Sequence, residues 1–378
     1  MADTTSNRER DGKEIATRPD QIRRVEQNWY QVKAQSLKFD SWYDVVFNGH
    51  KFVCDCPDSH WREIKCKHIH AVEFSIELRQ QVKKDTVTIQ PVTVNDCQFC
   101  GSQNIKKFGL RHNKSGDIQR FVCADCKKTF SVNIGFEKMQ HEPKAITSAM
   151  QLYFTGESLR GVQKFLKLQG VEVSHVTIYN WIKRYTKLME SYLDKITPNL
   201  SNTWRADEVF VKIKGDMKYL FALMDDETRF WIAQEVADTK FKHDARNLLR
   251  MGKEFAGKTP KVFITDGLQS YNEAFKKEFW TLKKEGRPVH IRHIHITGSR
   301  NNNKMERLNG EIRDREKVVR GLKKKDSPLL KGYQIYHNYV RPHMGLNGDT
   351  PADKAGIKVE GENKWITLIQ NSSKTKHE

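Results

Sequence analysis

Three carboxylates stand out for where they fall. Asp207 lies in residues 204–215, WRADEVFVKIKG, a strand-like run in which it shares parity with Val209, Val211 and Ile213. A carboxylate on an otherwise apolar strand face is costly unless a cation offsets it. Glu208 points to the opposite face and is the competing candidate. Asp266 closes a short apolar run at 261–266 and precedes Gly267; functional groups in α/β sheets gather at the carboxyl ends of strands. Glu306 lies in residues 300–320, RNNNKMERLNGEIRDREKVVR, where Met305, Leu308, Ile312 and Val319 form one apolar helical stripe. Glu306 and Arg313, seven positions apart, share a face about 100° round from that stripe. Asn302, Asn309 and Arg320 fall close to it. Alone, such a helix reads as a solvated charged surface. Beside Asp207 and Asp266 it reads as the third corner of a site for metal next to phosphate. Three hard oxygen donors suit divalent ions such as Mg²⁺ (or Mn²⁺).

All seven cysteines fall into two groups. Cys54-Asp-Cys56 is followed, nine residues on, by Cys66-Lys-His68. Together they can supply four N/S donors for tetrahedral zinc, with His60 and His70 as spare imidazoles and reduced, unligated cysteines as the plain alternative. The C-x-C…C-x-H spacing resembles the SWIM zinc finger. Cys97-x-x-Cys100 and Cys123-x-x-Cys126, 22 residues apart, form two knuckles of zinc-ribbon type. Four ligands each leave no open position, so both zincs read as structural. An odd cysteine total and an opening without an apolar h-region weigh against disulfides and export. The loop between the knuckles carries Lys106, Lys107, Arg111, His112, Lys114 and Arg120.

Residues 144–185 read as three helices, broken at Gly156 and Gly170, with Ser158 and Ser174 as caps. Val176, Tyr179 and Ile182 recur at helical spacing and should face a small core. His175, Thr177, Asn180, Lys183 and Arg184 are then left to reach base edges or phosphates, with Arg320 as a further basic candidate. An ordinary three-helix packing unit is the plain alternative. The S-x-R-x-V…V-S-x-x-T-I-Y-N-W-I run resembles the helix-turn-helix of insertion-sequence transposases.

Elements must hold these groups in place. Strand-like runs at 204–215, 219–224 and 230–236, a helix near 242–255, and the 261–266 strand alternate as in an α/β domain. HIRHIH at 290–295 reads as a strand edge, with a third metal site among His290, His293 and His295 as the weaker reading. The acid order resembles DDE transposases and retroviral-type integrases, through WRADE, ITDG, NNNKMERLNGEIRDRE and the closing YHNYVRPHMGL…TPAD. The resemblance implies a ribonuclease-H-like core, Asp207, Asp266 and Glu306 as metal ligands, and Arg313 as the basic partner seven after the glutamate. Glu311 is the nearest substitute for Glu306, but position 318 is Val.

The resulting expectation is a multidomain chain of small zinc-binding α+β modules, a helix-turn-helix and an α/β ribonuclease-H-like core with a mixed sheet. Its parts are a disordered leader (1–25), a SWIM-like finger (26–84), a zinc ribbon (92–134), a helix-turn-helix (142–196), a DDE core (200–357) and a tail (358–378). The net charge of +19 fits a polyanion partner, double-stranded DNA, both element terminal repeats and target. Joining two ends calls for at least a homodimer. No run is apolar enough for a membrane, and a cytoplasmic, nucleoid-associated location follows. A catalytically silent regulator derived from a transposase and a ribonuclease-H-type nuclease are the alternatives.

Overall fold

The computed structural model describes residues 4–18, 21–26, 28–35, 41–62, 64–80, 86–92, 94–97, 99–113, 116–131, 133–279, 288–292, 303–319, 322 and 327–374. They divide into two compact units. One joins 1–85, 199–210 and 218–310; the other joins 86–198, 211–217 and 311–378.

The chain begins with a helix, α1 (Thr4–Thr17), and a four-stranded antiparallel meander, β1 (Ile22–Glu26), β2 (Trp29–Lys33), β3 (Trp42–Phe47) and β4 (Phe52–Cys54). Helices α2 (Pro57–Arg62) and α3 (Lys67–Gln80) follow. The leader expected to be disordered thus contains α1 and most of β1. Its few apolar groups suffice because α3 supplies the rest of the contact: Ile15 is buried, and a Cβ on Gly12 would lie 2.5 Å from that of His70. The absent side chain lets the two helices close up.

After β5 (Val87–Ile89) comes a three-stranded sheet of β6 (Ile105–Asn113), β7 (Gly116–Cys123) and β8 (Thr129–Ser131). Three helices follow: α4 (Pro143–Thr155), α5 (Leu159–Leu168) and α6 (His175–Leu193). The Ser158 and Ser174 hydroxyls accept from the backbone N–H groups of Gly161 and Thr177, as serine caps do. The core face of α6 is Ile178, Trp181, Ile182 and Tyr185. Val176 is exposed, because the buried stripe begins two residues later than its spacing implied.

The central sheet has the order β11-β10-β9-β12-β13, built from β9 (Thr203–Ile213), β10 (Asp216–Asp225), β11 (Trp231–Ala237), β12 (Val262–Thr265) and β13 (Val289–Arg292). β10 and β11 are antiparallel, whereas β12 runs parallel to both β9 and β13. This is the mixed α/β core expected, resembling a ribonuclease-H-like fold. Helices α7 (Lys242–Ala256), α8 (Gln269–Glu278) and α9 (Asn303–Val319) accompany it. Trp204, Phe221, Trp231, Phe263 and Tyr271 are fully buried, so the sheet has aromatic weight under it.

The chain closes with α10 (Pro328–Ile335), a π turn over Tyr336–Val340, α11 (Pro351–Lys354), β14 (Ile357–Val359) and α12 (Lys364–Lys374). β14 pairs in parallel with β5. The segment after 357 is therefore more than a tail: Trp365 stacks on Phe154 and Tyr336, and Leu368 and Ile369 are buried.

Candidate metal centre

Strand register brings the first two acids together. Ile264 pairs with Arg205 across parallel β12 and β9, so the residues two further on, Asp266 and Asp207, are neighbours at the carboxyl edge. Gly267, at φ +110, lets the chain turn at once, and the Asp266 Oδ1 accepts from the Leu268 N–H at 3.2 Å. Asp207 Oδ1 accepts from the backbone N–H of Glu208 at 2.9 Å, and its Oδ2 from Asn309 Nδ2 on α9 at 2.9 Å.

Oxygens of Asp207, Glu208 and Asp266 lie within 4.8 Å of one another, a cluster able to hold a metal ion. Burial, then the charges of Asp266 and Glu208, push the Asp207 carboxyl up to about 7; the Glu208 N–H opposes this, and Glu306 adds a smaller push. Such an acid stays half protonated near neutrality unless a cation takes the proton's place. The centre also contains a buried oxygen with no hydrogen-bond partner among the described residues, Asn309 Oδ1. The donor set is all hard oxygen and fits Mg²⁺ or Mn²⁺.

Glu208 was the competing candidate from parity, and it is the third member of this cluster. Its Oε1 pairs with Lys240 Nζ at 2.8 Å, and its side chain is only 5% exposed. Burial raises its pKa, partly offset by Lys240. The Tyr271 phenol behind it is pushed well above its ordinary value by burial and then by Glu208, Asp207 and Asp266, so it stays neutral. Glu306 is exposed in the first turn of α9, outside the 4.8 Å cluster but near enough for Asp207 to feel its charge. Arg313 is exposed two turns further along α9. Arg320 lies outside the described residues. Glu311 is engaged elsewhere: burial would raise its pKa, but Arg341 and Tyr333 bind the carboxylate and bring it below the ordinary range.

A second network fixes the start of α9. Lys304 Nζ donates to the Asp226 carboxylate at 2.8 Å and to the Asp226 carbonyl at 2.6 Å. Arg205 Nε binds the same carboxylate, and Arg205 also donates to the Thr17 carbonyl at the end of α1. Burial alone would raise Asp226; the two cations overcome it and pull it down to about 2. In the sequence Asp226 falls between the strand-like runs 219–224 and 230–236. Nothing local marks it as buried, since its partners are 21 and 78 residues away.

Both cysteine groups assemble. Cys54, Cys56, Cys66 and His68 are all buried, with the Cys54 and Cys66 sulfurs each 3.9 Å from His68 Nδ1. Cys97 and Cys126 sulfurs are 3.6 Å apart, and those of Cys100 and Cys123 3.7 Å. A tetrahedral site with Zn–S bonds of about 2.3 Å requires S···S separations near 3.8 Å, far longer than a disulfide. The backbone N–H of Cys126 is the first cause holding the Cys123 thiol down at about 6, toward the thiolate that zinc needs. His60 and His70 belong to neither group. His290 lies half-buried on the edge strand β13, as the strand-edge reading expected, with its ring tilted against Phe263 and Phe275, and burial lowers it to about 4. His293 and His295 lie outside the described residues.

The first cluster is built into the unit that holds the acids. Phe74, on the helix after Cys66 and His68, packs with Val262, Ile264 and Ile291 of β12 and β13. The helix that follows this cluster therefore packs against the strand that ends next to Asp266.

Sequence relationships agree with this geometry. Residues 201–343 match the family described as DDE domain. The chain is similar to transposases of Staphylococcus aureus: that of the insertion sequence-like element IS431mec (strain N315) and that of the insertion sequence element IS257 in transposon Tn4003 are each 28% identical over 232 residues, 59% of this chain and 98% of theirs. Among solved structures, the HTLV-2 integrase catalytic core domain in complex with magnesium, in its trimeric form, aligns with a TM-score of 0.30 and 16% identity over 42% of this chain and 98% of that one. Its dimeric form gives 0.30 and 15%.

Proposed function

We propose that this protein is a DNA transposase that binds the ends of a mobile element, cuts them in a metal-dependent reaction and joins them to target DNA. The observation that carries this reading is the pair Asp207 and Asp266 on adjacent parallel strands, with Asp207 held at a protonation cost that a cation relieves. Asp207 and Asp266 would hold divalent ions with Glu306, Asn309 would orient Asp207, and Lys304 would hold the first turn of α9 in place. When bound, two Mg²⁺ or Mn²⁺ ions supply Lewis-acid activation of the attacking oxygen and stabilisation of the leaving one.

The segments 26–84 and 92–134 act as structural zinc modules of SWIM-like and ribbon type, followed by a helix-turn-helix at 142–196 and the core at 200–357. Asn180, Lys183 and Arg184 are exposed on α6, with His175 and Thr177 half-buried at its start; these are the groups we assign to DNA. Element ends and target are both duplex, so the active assembly is a homodimer or larger. Among the described residues no helix is long and apolar enough to cross a membrane, and we assign the chain to the nucleoid.

The test is cleavage of DNA carrying the source element's ends with Mg²⁺, comparing wild type with Asp266→Ala. Cutting by wild type alone supports the reading. One observation favours a second reading, a silent DNA-binding regulator: Glu306 stands outside the carboxylate cluster. Equal binding and no cutting by either protein would establish it.

A further inference from the structure

Among the described residues, the zinc ribbon ends in a hairpin whose first strand is open to solvent. Residues 106–112 of β6 are exposed at every position, whereas a strand covered on one face alternates. β8 pairs only with Arg120–Val122 of β7, next to the cysteines. Beyond that point the structure is a two-stranded ribbon, which is marginal by itself and is held here by the Cys123–Cys126 end.

Its chemistry is one-sided. Residues 105–123 carry five Lys or Arg and one acid, Asp117. That acid is taken by His112 at 2.5 Å. Among the described residues, no ion pair engages Lys106, Lys107 or Arg111. Phe108 and Leu110 are half exposed, with the Arg120 guanidinium 5.3 Å from the Phe108 ring. Between Lys107 and Leu110 the register shifts, around Gly109 at φ +71, a bulge that twists the strand and re-aims its side chains.

We infer that the β6–β7 hairpin is a second DNA-docking surface, entering a groove of duplex DNA with Lys106, Lys107 and Arg111 on the phosphate walls and its apolar side chains, Phe108 on one face of the ribbon and Leu110 on the other, against the groove. The major groove admits a two-stranded ribbon, and its thymine methyls accept apolar contact. The charge complementarity selects a polyanion, and a first strand exposed on both of its faces suits an occupant that walls both sides. This inference rests on the DNA-binding part of the reading above and adds a surface which that reading leaves without a role.

The experiment uses the full zinc-loaded chain and a fluorescent 30-base-pair duplex across a NaCl series. Three variants are compared with wild type: Lys106→Gln/Lys107→Gln/Arg111→Gln, Phe108→Ser/Leu110→Ser, and Lys183→Gln/Arg184→Gln on α6. Zinc content and melting temperature identify folded variants; the substituted hairpin positions are exposed, so wild-type values are expected. The charge variant should bind at least about tenfold more weakly at moderate salt and lower the log–log salt slope by roughly two to three. The apolar variant should lose affinity with the slope unchanged. Wild-type affinity and slope in both hairpin variants would overturn the inference. So would a hairpin variant that shifts oligomeric state in sedimentation at unchanged DNA affinity, which would make the surface a contact between copies. If α6 variants lose binding and hairpin variants do not, this inference fails alone. If wild type does not bind duplex at all, the transposase reading fails with it.

Discussion

The two cysteine clusters have the same number of ligands and opposite surroundings. Cys54, Cys56, Cys66 and His68 are sunk among Ile15, Val32, Val45 and Val72, and the attached helix sends Phe74 under β12. Cys97, Cys123 and Cys126 share a small cluster with Val94, Ile105, Phe121 and Phe130, and Cys100 is exposed. A metal replaces core where a module is too small to build one. At the second cluster a bound metal would replace nearly all of it, leaving the hairpin to present side chains outward. At the first it would add to a core shared with the central sheet, so its ligands would support the strand beside the acids. The lesson is that a ligand pattern identifies a staple but not what is stapled.

The sharpest test of this contrast is to break one ligand in each. Cys66→Ser should cost on the order of 5 kcal/mol and expose β12 to hydrogen exchange. Cys100→Ser should loosen β6–β8 and leave β12 protected. Equal protection of β12 in both variants would erase the distinction. Next, Phe74→Ala should cost about 3–5 kcal/mol in denaturant unfolding, as expected for a buried aromatic; a cost below about 1 kcal/mol would detach the finger from the sheet.

Within the acid-bearing unit, Lys304→Met should slow the proposed strand cleavage roughly tenfold or more at unchanged duplex affinity, because loosening the helix that carries Glu306 and Asn309 misplaces groups beside the acids. Lys304→Arg should recover most of the rate. Recovery by neither, or equal loss of DNA binding, would make Lys304 merely structural.

A gentler probe is pH. A raised carboxyl pKa means the fold binds the Asp207 proton more tightly than the unfolded chain does. Without metal, its contribution to stability is therefore greatest at low pH, falls as pH rises from the ordinary carboxylate range toward about 7, and is level above. Metal must displace that proton, so Mg²⁺ affinity should climb over the same window and flatten above it. Asp207→Asn, followed by calorimetry across pH, should remove the stability slope. The smallest effect belongs to the bare hairpin, where Leu110→Ser should change stability by less than about 0.5 kcal/mol.

Much of this was legible in the chain itself. Strand parity placed Asp207, the 261–266 run placed Asp266, and cysteine spacing gave both ligand sets, because metal geometry and strand period act over a few residues. The apolar stripe of α9 was equally plain, and Met305, Leu308 and Ile312 are buried. The leader and the segment after 357 misled because their helices are stabilised by partners far along the chain, α3 for the one and α4 and α6 for the other. Val176 misled because a helix's periodicity is clearer than its phase.

Residue types and local spacing thus determined which groups could do chemistry and on which kinds of element they ride. Only the tertiary structure decided that Glu208 joins Asp207 and Asp266, that Glu311 belongs to Arg341, and that Lys304 and Arg205 share Asp226. Those outcomes depend on distance and burial between residues remote in sequence. Coulomb energy and desolvation are functions of three-dimensional separation, and no one-dimensional pattern encodes them.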